Sequence, residues 1–287
     1  MVVFDMNYAV IDIGTNTIRS VIYNENLLPV AQIVAESVIL QHTENHMLTT
    51  TGIDRLCKSL ADASAFFKQN NADKIFCFAT SAMRDVKNFD EVNNAVKTEC
   101  GFEIDLLSEK AEAISDFTSL KFQLGDDCSG VGADLGGGSC QVILFNHGEL
   151  IYHCSHKLGV KRLYNKFGEL TRENEATVRN YIIETISDIP PTKSNVLYIM
   201  GGTSNKIRKL IKHICGVETI TPEHIRFIIK QYYNQTSQYK SLSTTEFYKI
   251  PFGAIVIDTL CKVFDAKSIT VMSGGAREGY IAQKLYK

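Results

Sequence analysis

Asp12-Ile13-Gly14-Thr15-Asn16-Thr17 recurs further along the chain as Asp134-Leu135-Gly136-Gly137-Gly138-Ser139. Each copy follows an apolar run, Ala9-Val10-Ile11 or Val131-Gly132-Ala133, and precedes another, residues 18–23 or 142–145. The repeat reads as one β-hairpin used twice: strand, carboxylate, glycine turn with hydroxyls, strand. Glycine lets backbone N–H groups approach an anion, and Thr or Ser hydroxyls add donors, so such a turn suits phosphate. The carboxylate at the strand end can hold a divalent cation, directly or through water. Taken alone, one copy is an ordinary tight hairpin. Two copies point to phosphate binding and to two similar half-molecules facing each other across a cleft.

Outward from the first turn, strands alternate with helices. Residues 8–12, 18–24 and 28–40 read as consecutive strands rich in Val and Ile. Residues 51–70 read as a helix, because Ile53, Leu56, Leu60, Ala63 and Phe67 fall at spacings of three and four. A strand over 74–79, a helix over 88–100 with Asn88 and Glu91 as a capping box, a strand over 102–107 and a helix over 109–121 follow. Gly125-Asp126-Asp127-Cys128-Ser129-Gly130 is the expected hinge. Three more strands (131–134, 141–146, 150–156), helices near 159–168 and 172–187, and a strand over 195–200 come next. Thr221-Pro222 opens a further helix, and 251–264, 268–273 and 275–286 read as helix, strand and helix. The order βββαβαβα thus occurs twice, which predicts an α/β fold. The expected domains are 1–124 and 125–287, with the last helix (about 275–287) packing back on the first.

Composition narrows the function classes. Formal net charge is −2, from 30 Lys+Arg against 32 Asp+Glu, which argues against a dedicated nucleic-acid binder. No apolar run approaches a membrane span, and the first residues carry no signal-peptide pattern, so a cytoplasmic location is expected. The eight cysteines form no C-x-x-C pair and read as reduced, mostly buried thiols. Cys140 stands just after the second turn but has no basic neighbour in sequence to activate it. The seven histidines offer neither an H-e-x-x-H pattern nor zinc spacing, which favours metal-assisted attack by water over a covalent intermediate. A homodimer is compatible with the sequence, and no feature of it requires one.

Further residues cluster around this theme. Thr80, Ser81 and Arg84 leave the end of a strand, where α/β sheets usually bind ligands; the guanidinium fork suits phosphate. Glu112 lies in the first turns of the helix after residue 107, a place where acidic residues are also favoured for the helix itself. Gly201-Gly202-Thr203 and Ser273-Gly274-Gly275 each follow an apolar strand, either lining the same cleft or packing closely. Lys157, Lys161, Arg162 and Lys166 form a basic run, either a solvated face or a guide for a polyanion.

Together these stretches resemble the exopolyphosphatase / guanosine pentaphosphate phosphatase (Ppx/GppA) family of the actin-like ATPase superfamily. Residues 12–19 are similar to its D-x-G-S-N-S-x-R, 79–88 to its A-T-x-A-x-R-x-A-x-N, and 107–113 to its I-S-G-x-E-E-A. Residues 134–141 are similar to D-I-G-G-G-S-x-E, 159–163 to G-x-x-x-L, and 201–203 and 275–279 to G-G-T and G-x-R-E-G. The resemblance implies two ribonuclease H-like (actin-like ATPase) domains around an interdomain cleft. It implies removal of a terminal phosphate from polyphosphate or guanosine pentaphosphate, with Mg²⁺ near Asp12 and Asp134. Gly14, Thr15, Asn16, Thr17, Arg19, Thr80, Ser81, Arg84, Gly136, Gly137, Gly138 and Ser139 are then expected to hold phosphate. Gln141, Gly201, Gly202, Lys161 and Arg162 are expected to play secondary parts, and Glu112 to position or deprotonate the attacking water.

The chain departs from that pattern at Gln141, where the family has Glu, at Glu109 and Ala111 in the I-S-G-x-E-E-A stretch, and at Gln41-His42-Thr43, where the family carries an arginine. The departures keep two other readings in play. One is a polyphosphate or guanosine-polyphosphate sensor without turnover. The other is an actin-like ATPase or small-molecule kinase. Closure of the two halves about residues 122–130 on a substrate is a further expectation.

Overall fold

The computed structural model of the chain describes residues 6–15, 17–37, 39–237, 239 and 249–286. Packing divides it into two compact units, Met1–Glu112 with Tyr280–Lys287, and Ala113–Gly279.

The first unit is a five-stranded sheet with helices. β1 (Tyr8–Ile13), β2 (Thr17–Tyr23) and β3 (Pro29–Glu36) form an antiparallel meander, and β4 (Thr43–Glu44) pairs with β5 (Met47–Leu48) in a small hairpin. Then come α1 (Thr50–Gln69), β6 (Lys74–Ala79), α2 (Ser81–Arg84), α3 (Phe89–Cys100) and β7 (Asp105–Leu106). The order β3-β2-β1-β6-β7 places β6 and β7 parallel to β1. The apolar stripe expected along α1 is buried in full: Ile53, Leu56, Leu60, Ala63 and Phe67 join Ile11, Ile13 and Ala79 in one core. Burying a Leu or Phe side chain contributes about 1.5–3 kcal/mol each, so this stripe fixes the helix on the sheet. Thr49 caps α1 by accepting the Gly52 N–H at 3.2 Å.

α4 (Glu109–Leu124) begins in the first unit and runs into the second. The second unit repeats the strand plan: β8 (Gly130–Leu135), β9 (Cys140–Asn146) and β10 (Glu149–His156) form the meander. α5 (Val160–Phe167), α6 (Glu175–Thr185), β11 (Val196–Met200), α7 (Gly202–Cys215) and α8 (Pro222–Tyr233) follow. The last elements are α9 (Lys249–Val263), β12 (Ser268–Val271) and α10 (Ala276–Leu285). The order β10-β9-β8-β11-β12 is that of the first sheet, so the doubled α/β topology is present. α9 is mostly apolar and buried from Lys249 through Cys261, as a central core helix should be, with Asp258 as a buried charge.

Three local expectations fail for tertiary reasons. The strand predicted over 102–107 shrinks to two residues, because Asn93 Oδ1 accepts the Ile104 N–H at 2.8 Å and ties that backbone to α3. The strand predicted to residue 40 ends at Glu36, and the chain turns so that Thr43 Oγ1 donates to Ile39 O. Asn88 is the N-cap residue of α3 and its Nδ2 donates to Glu91 Oε2 at 2.9 Å, but its side chain makes no cap bond to the helix backbone: Oδ1 accepts from Leu48 N at 2.8 Å and Nδ2 donates to Leu48 O at 3.0 Å. Among the described residues, no helix is long and apolar enough to cross a membrane.

Candidate functional site

In the first unit the candidate residues gather at the carboxyl ends of three parallel strands. The β1–β2 turn is closed by Gly14 N–H donating to Thr17 O at 3.0 Å. Asp12, next to last in β1, pairs in register with Arg19 of β2; Thr15 is buried, and Asn16 lies outside the described residues. Thr80 follows β6, and its N–H reaches Ile13 O at 3.4 Å, so it stands beside the turn. Thr80 O then accepts from Met83 N and Arg84 N, which winds Ser81–Arg84 into the single turn of α2.

That turn aims Arg84 at the start of α4. Arg84 Nη1 donates to Leu107 O at 2.9 Å and to Glu112 Oε2 at 2.7 Å. Glu112 is 7 % exposed, so its carboxylate is desolvated and fixed by a charge-assisted bond. A guanidinium has five N–H donors, and Nη1 alone accounts for these two bonds. Thus two residues far apart in sequence, an arginine after a strand and a glutamate near a helix start, are brought into contact.

In the second unit the repeated turn has the same closure: Gly136 N–H donates to Ser139 O at 3.0 Å. Here a helix end is clamped onto it. Val160 N donates to Gly136 O at 3.1 Å, and Lys161 N and Arg162 N donate to Gly137 O at 3.0 and 3.2 Å. The Arg162 Nε adds a bond to Gly138 O at 3.0 Å. A Cβ on Gly159 would stand 2.3 Å from Gly137 O, so only glycine permits this approach. Of the basic run, Arg162 is therefore a brace for the turn, and Lys166 Nζ sits 4.7 Å above the Tyr181 ring.

Asp134, next to last in β8, has its carboxylate beside two glycines. A Cβ on Gly201, whose φ is +102°, would lie 2.8 Å from Asp134 Oδ1; one on Gly275 would lie 3.5 Å from Oδ2. Gly202 is the exposed first residue of α7. Gln141 faces Asp134 across the β8–β9 pair, is buried, and accepts the Ser155 hydroxyl through Oε1 at 3.0 Å. Burial, and next the Asp134 carboxylate, push the Cys140 thiol up, so it stays neutral.

Sequence reasoning missed Asp116. It is fully buried, and its Oδ1 would be 3.9 Å from a Cβ on Gly275, on the same glycine as Asp134. A signal for it existed: Glu112, Ser115, Asp116 and Ser119 lie at helical spacings of three and four on α4, and all four are buried. This polar stripe meets glycines. A Cβ on Gly274 would lie 2.5 Å from Ser119 Oγ, and one on Gly279 1.6 Å from Ser115 O. Gly274 and Gly279 are thus close-packing positions.

The carboxylate of Asp12 in the first unit, and separately that of Asp134 in the second, is of the oxygen type Mg²⁺ prefers. A side chain at Gly201 would collide with Asp134 Oδ1 and Leu135 O, so only glycine fits beside that carboxylate. Among the described residues, no three His, Cys, Asp or Glu side chains form a ready cage.

A model of the Ppx/GppA phosphatase family matches residues 31–287. The chain belongs to that family, and its class is that of a phosphoanhydride hydrolase. It is 22 % identical to "Exopolyphosphatase 1" of Mycobacterium tuberculosis, over 98 % of this chain and 88 % of that one. Among solved structures it is similar to an exopolyphosphatase from Cytophaga hutchinsonii (TM-score 0.85, 17 % identity) and to the Aquifex aeolicus family member (TM-score 0.83, 18 % identity). Each of these covers 98 % of both chains. Both share this fold, two units of the actin-like ATPase type.

Proposed function

We propose that the protein is an exopolyphosphatase, releasing terminal phosphate from inorganic polyphosphate, with guanosine pentaphosphate as a second substrate to assay. The observation that carries the reading is the repeated turn, closed by the same 3.0 Å glycine bond in both units and preceded each time by Asp. Phosphoryl transfer needs positioning and charge neutralisation more than covalent chemistry. Backbone N–H groups of the turns, with the hydroxyls of Thr15, Thr17 and Ser139, hold phosphate oxygens. Arg84 braces Glu112 and offers its remaining N–H groups to the substrate. Glu112 orients a water and takes its proton as the water oxygen attacks the terminal phosphorus. The bridging P–O bond breaks, and the shortened chain leaves as the anion. Asp12 and Asp134 are the residues that would hold Mg²⁺, which when bound neutralises phosphate charge.

One observation favours a second reading, a binding protein without turnover: Gln141 stands uncharged beside Asp134 and is engaged by Ser155. Phosphate release from polyphosphate, guanosine pentaphosphate and ATP in parallel, with Mg²⁺, decides. The wild type is expected to exceed Glu112→Gln by about 10²-fold or more on polyphosphate. Equal release by wild type, Glu112→Gln and Asp134→Ala, together with tight calorimetric binding of polyphosphate, would replace the enzyme by the sensor.

A further inference from the structure

Away from the turns, the edge strand of the second sheet carries a different chemistry. Tyr152, Cys154 and His156 alternate along β10, where Cys154 is paired with Val142 and His156 with Cys140 of β9. Cys154 Sγ lies 2.9 Å from His156 Nε2, and the same nitrogen lies 3.5 Å from Asp188 Oδ1. Asp188 is anchored in turn by the Tyr152 hydroxyl, which donates to its Oδ2 at 3.3 Å. The imidazole is buried, the cysteine is half-buried and the carboxylate is exposed. A sulfur this close to an imidazole nitrogen suits a charge-assisted contact, which is shorter than a neutral one. An imidazole accepts the thiol proton, and a carboxylate beside it stabilises the resulting cation.

We propose that Cys154 is a site of covalent modification, its thiolate paired with His156, and that it takes small electrophiles, with hydrogen peroxide as the natural class of reagent. The thiol proton passes to His156 Nε2. The thiolate attacks one peroxide oxygen, an S–O bond forms as the O–O bond breaks, and hydroxide leaves with the electron pair. Hydroxide takes the proton from Nε2, leaving sulfenic acid, water and neutral imidazole; sulfur loses two electrons and peroxide gains two.

The surroundings make the site selective. Burial pushes the Cys57 and Cys261 thiols up to about 12, and raises those of Cys77, Cys100, Cys128, Cys140 and Cys215 as well. Such thiols are poor nucleophiles at neutral pH. Among the described residues, the titratable groups near Cys154 include His156, Tyr152 and Cys140, with Asp188 reaching it through His156. Burial first, then its hydrogen bond with Cys154, pushes the Tyr152 hydroxyl up, so it stays neutral and acts as a donor. The Asp188 carboxylate lies 3.5 Å from the His156 ring nitrogen, so its first effect is to favour the imidazolium of the pair.

The test is residue-resolved mass spectrometry of the native full chain, labelled with iodoacetamide between about pH 5.5 and 8.5, and with peroxide followed by dimedone. At about pH 6.5 an ordinary thiol is roughly 1 % thiolate, so Cys154 is expected to label about 10-fold faster than any other cysteine. His156→Gln should remove that advantage and shift the labelling profile to that of an ordinary thiol; the dimedone adduct should vanish in Cys154→Ser. If His156→Gln does not fold by circular dichroism, Asp188→Asn, at an exposed position, should still slow labelling several-fold. Labelling of Cys154 no faster than the other cysteines overturns the proposal, as does a rate unchanged in every folded variant of His156 and Asp188.

Discussion

Replacing Gly159 with alanine puts a methyl carbon 2.3 Å from Gly137 C, Gly137 O and Gly138 C. Ordinary carbon contacts lie at about 3.5–4.0 Å, so helix and turn must part by about 1.2 Å or stay compressed. The backbone at Gly159 has φ −61°, so alanine is not conformationally strained there and the whole cost is steric. If α5 retreats, the bonds from Val160, Lys161 and Arg162 to the turn weaken, each contributing about 1 kcal/mol net. If it stays, overpacking costs about 1–3 kcal/mol. Alanine returns about 0.4–1 kcal/mol by restricting the unfolded chain. The balance is a loss of about 2 kcal/mol. A turn displaced by about 1 Å should also lower phosphate release by up to about 10²-fold. The chain has no tryptophan, so urea unfolding followed by circular dichroism reads the first quantity, and a phosphate-release assay reads the second. Stability within about 0.5 kcal/mol of wild type, with full activity, would refute the claim that α5 braces the second turn.

Asp258 is fully buried and meets Arg179 at 2.7 Å, Arg226 at 3.0 Å and Lys262 at 3.2 Å. Asp258→Ala leaves those cations facing one another and should cost about 3–5 kcal/mol in urea unfolding, and a loss under about 1 kcal/mol counts against the network. Gly279→Ala would set a carbon 1.6 Å from Ser115 O, so little soluble protein is expected; a soluble variant with a wild-type melting curve would show that α10 and α4 separate easily. Gln141→Glu restores an acid beside Asp134. It should lower stability by about 1–3 kcal/mol without Mg²⁺, recover it as Mg²⁺ is added, and raise phosphate release. A melting temperature insensitive to Mg²⁺ in that variant would contradict a metal at Asp134.

The repeat was legible because each hairpin carries its information locally: carboxylate, glycine, hydroxyl and flanking apolar runs sit within a few residues. The α1 stripe was legible for the same reason. Arg84 and Glu112 were legible singly, as a cation after a strand and an acid near a helix start; their 2.7 Å contact depends on how α2 and α4 leave the sheet. Asn88 misled, because its partner Leu48 lies 40 residues away and outcompetes the local cap. Asp116 was passed over because an amphipathic reading counts apolar positions, whereas α4 buries polar ones against glycines. Asn16, expected to hold phosphate, lies outside the described residues.

The clamp on the second turn also sets its electrical sense. A peptide turn presents amide hydrogens on one side and carbonyl oxygens on another, and an anion is repelled by the second as it is drawn to the first. α5 and Arg162 take up the oxygens of Gly136, Gly137 and Gly138. The negative ends of those dipoles are thus neutralised inside the protein when the chain folds. If the turn holds phosphate as proposed, the ligand need not turn them aside, and the cost of orienting the turn is met before it arrives.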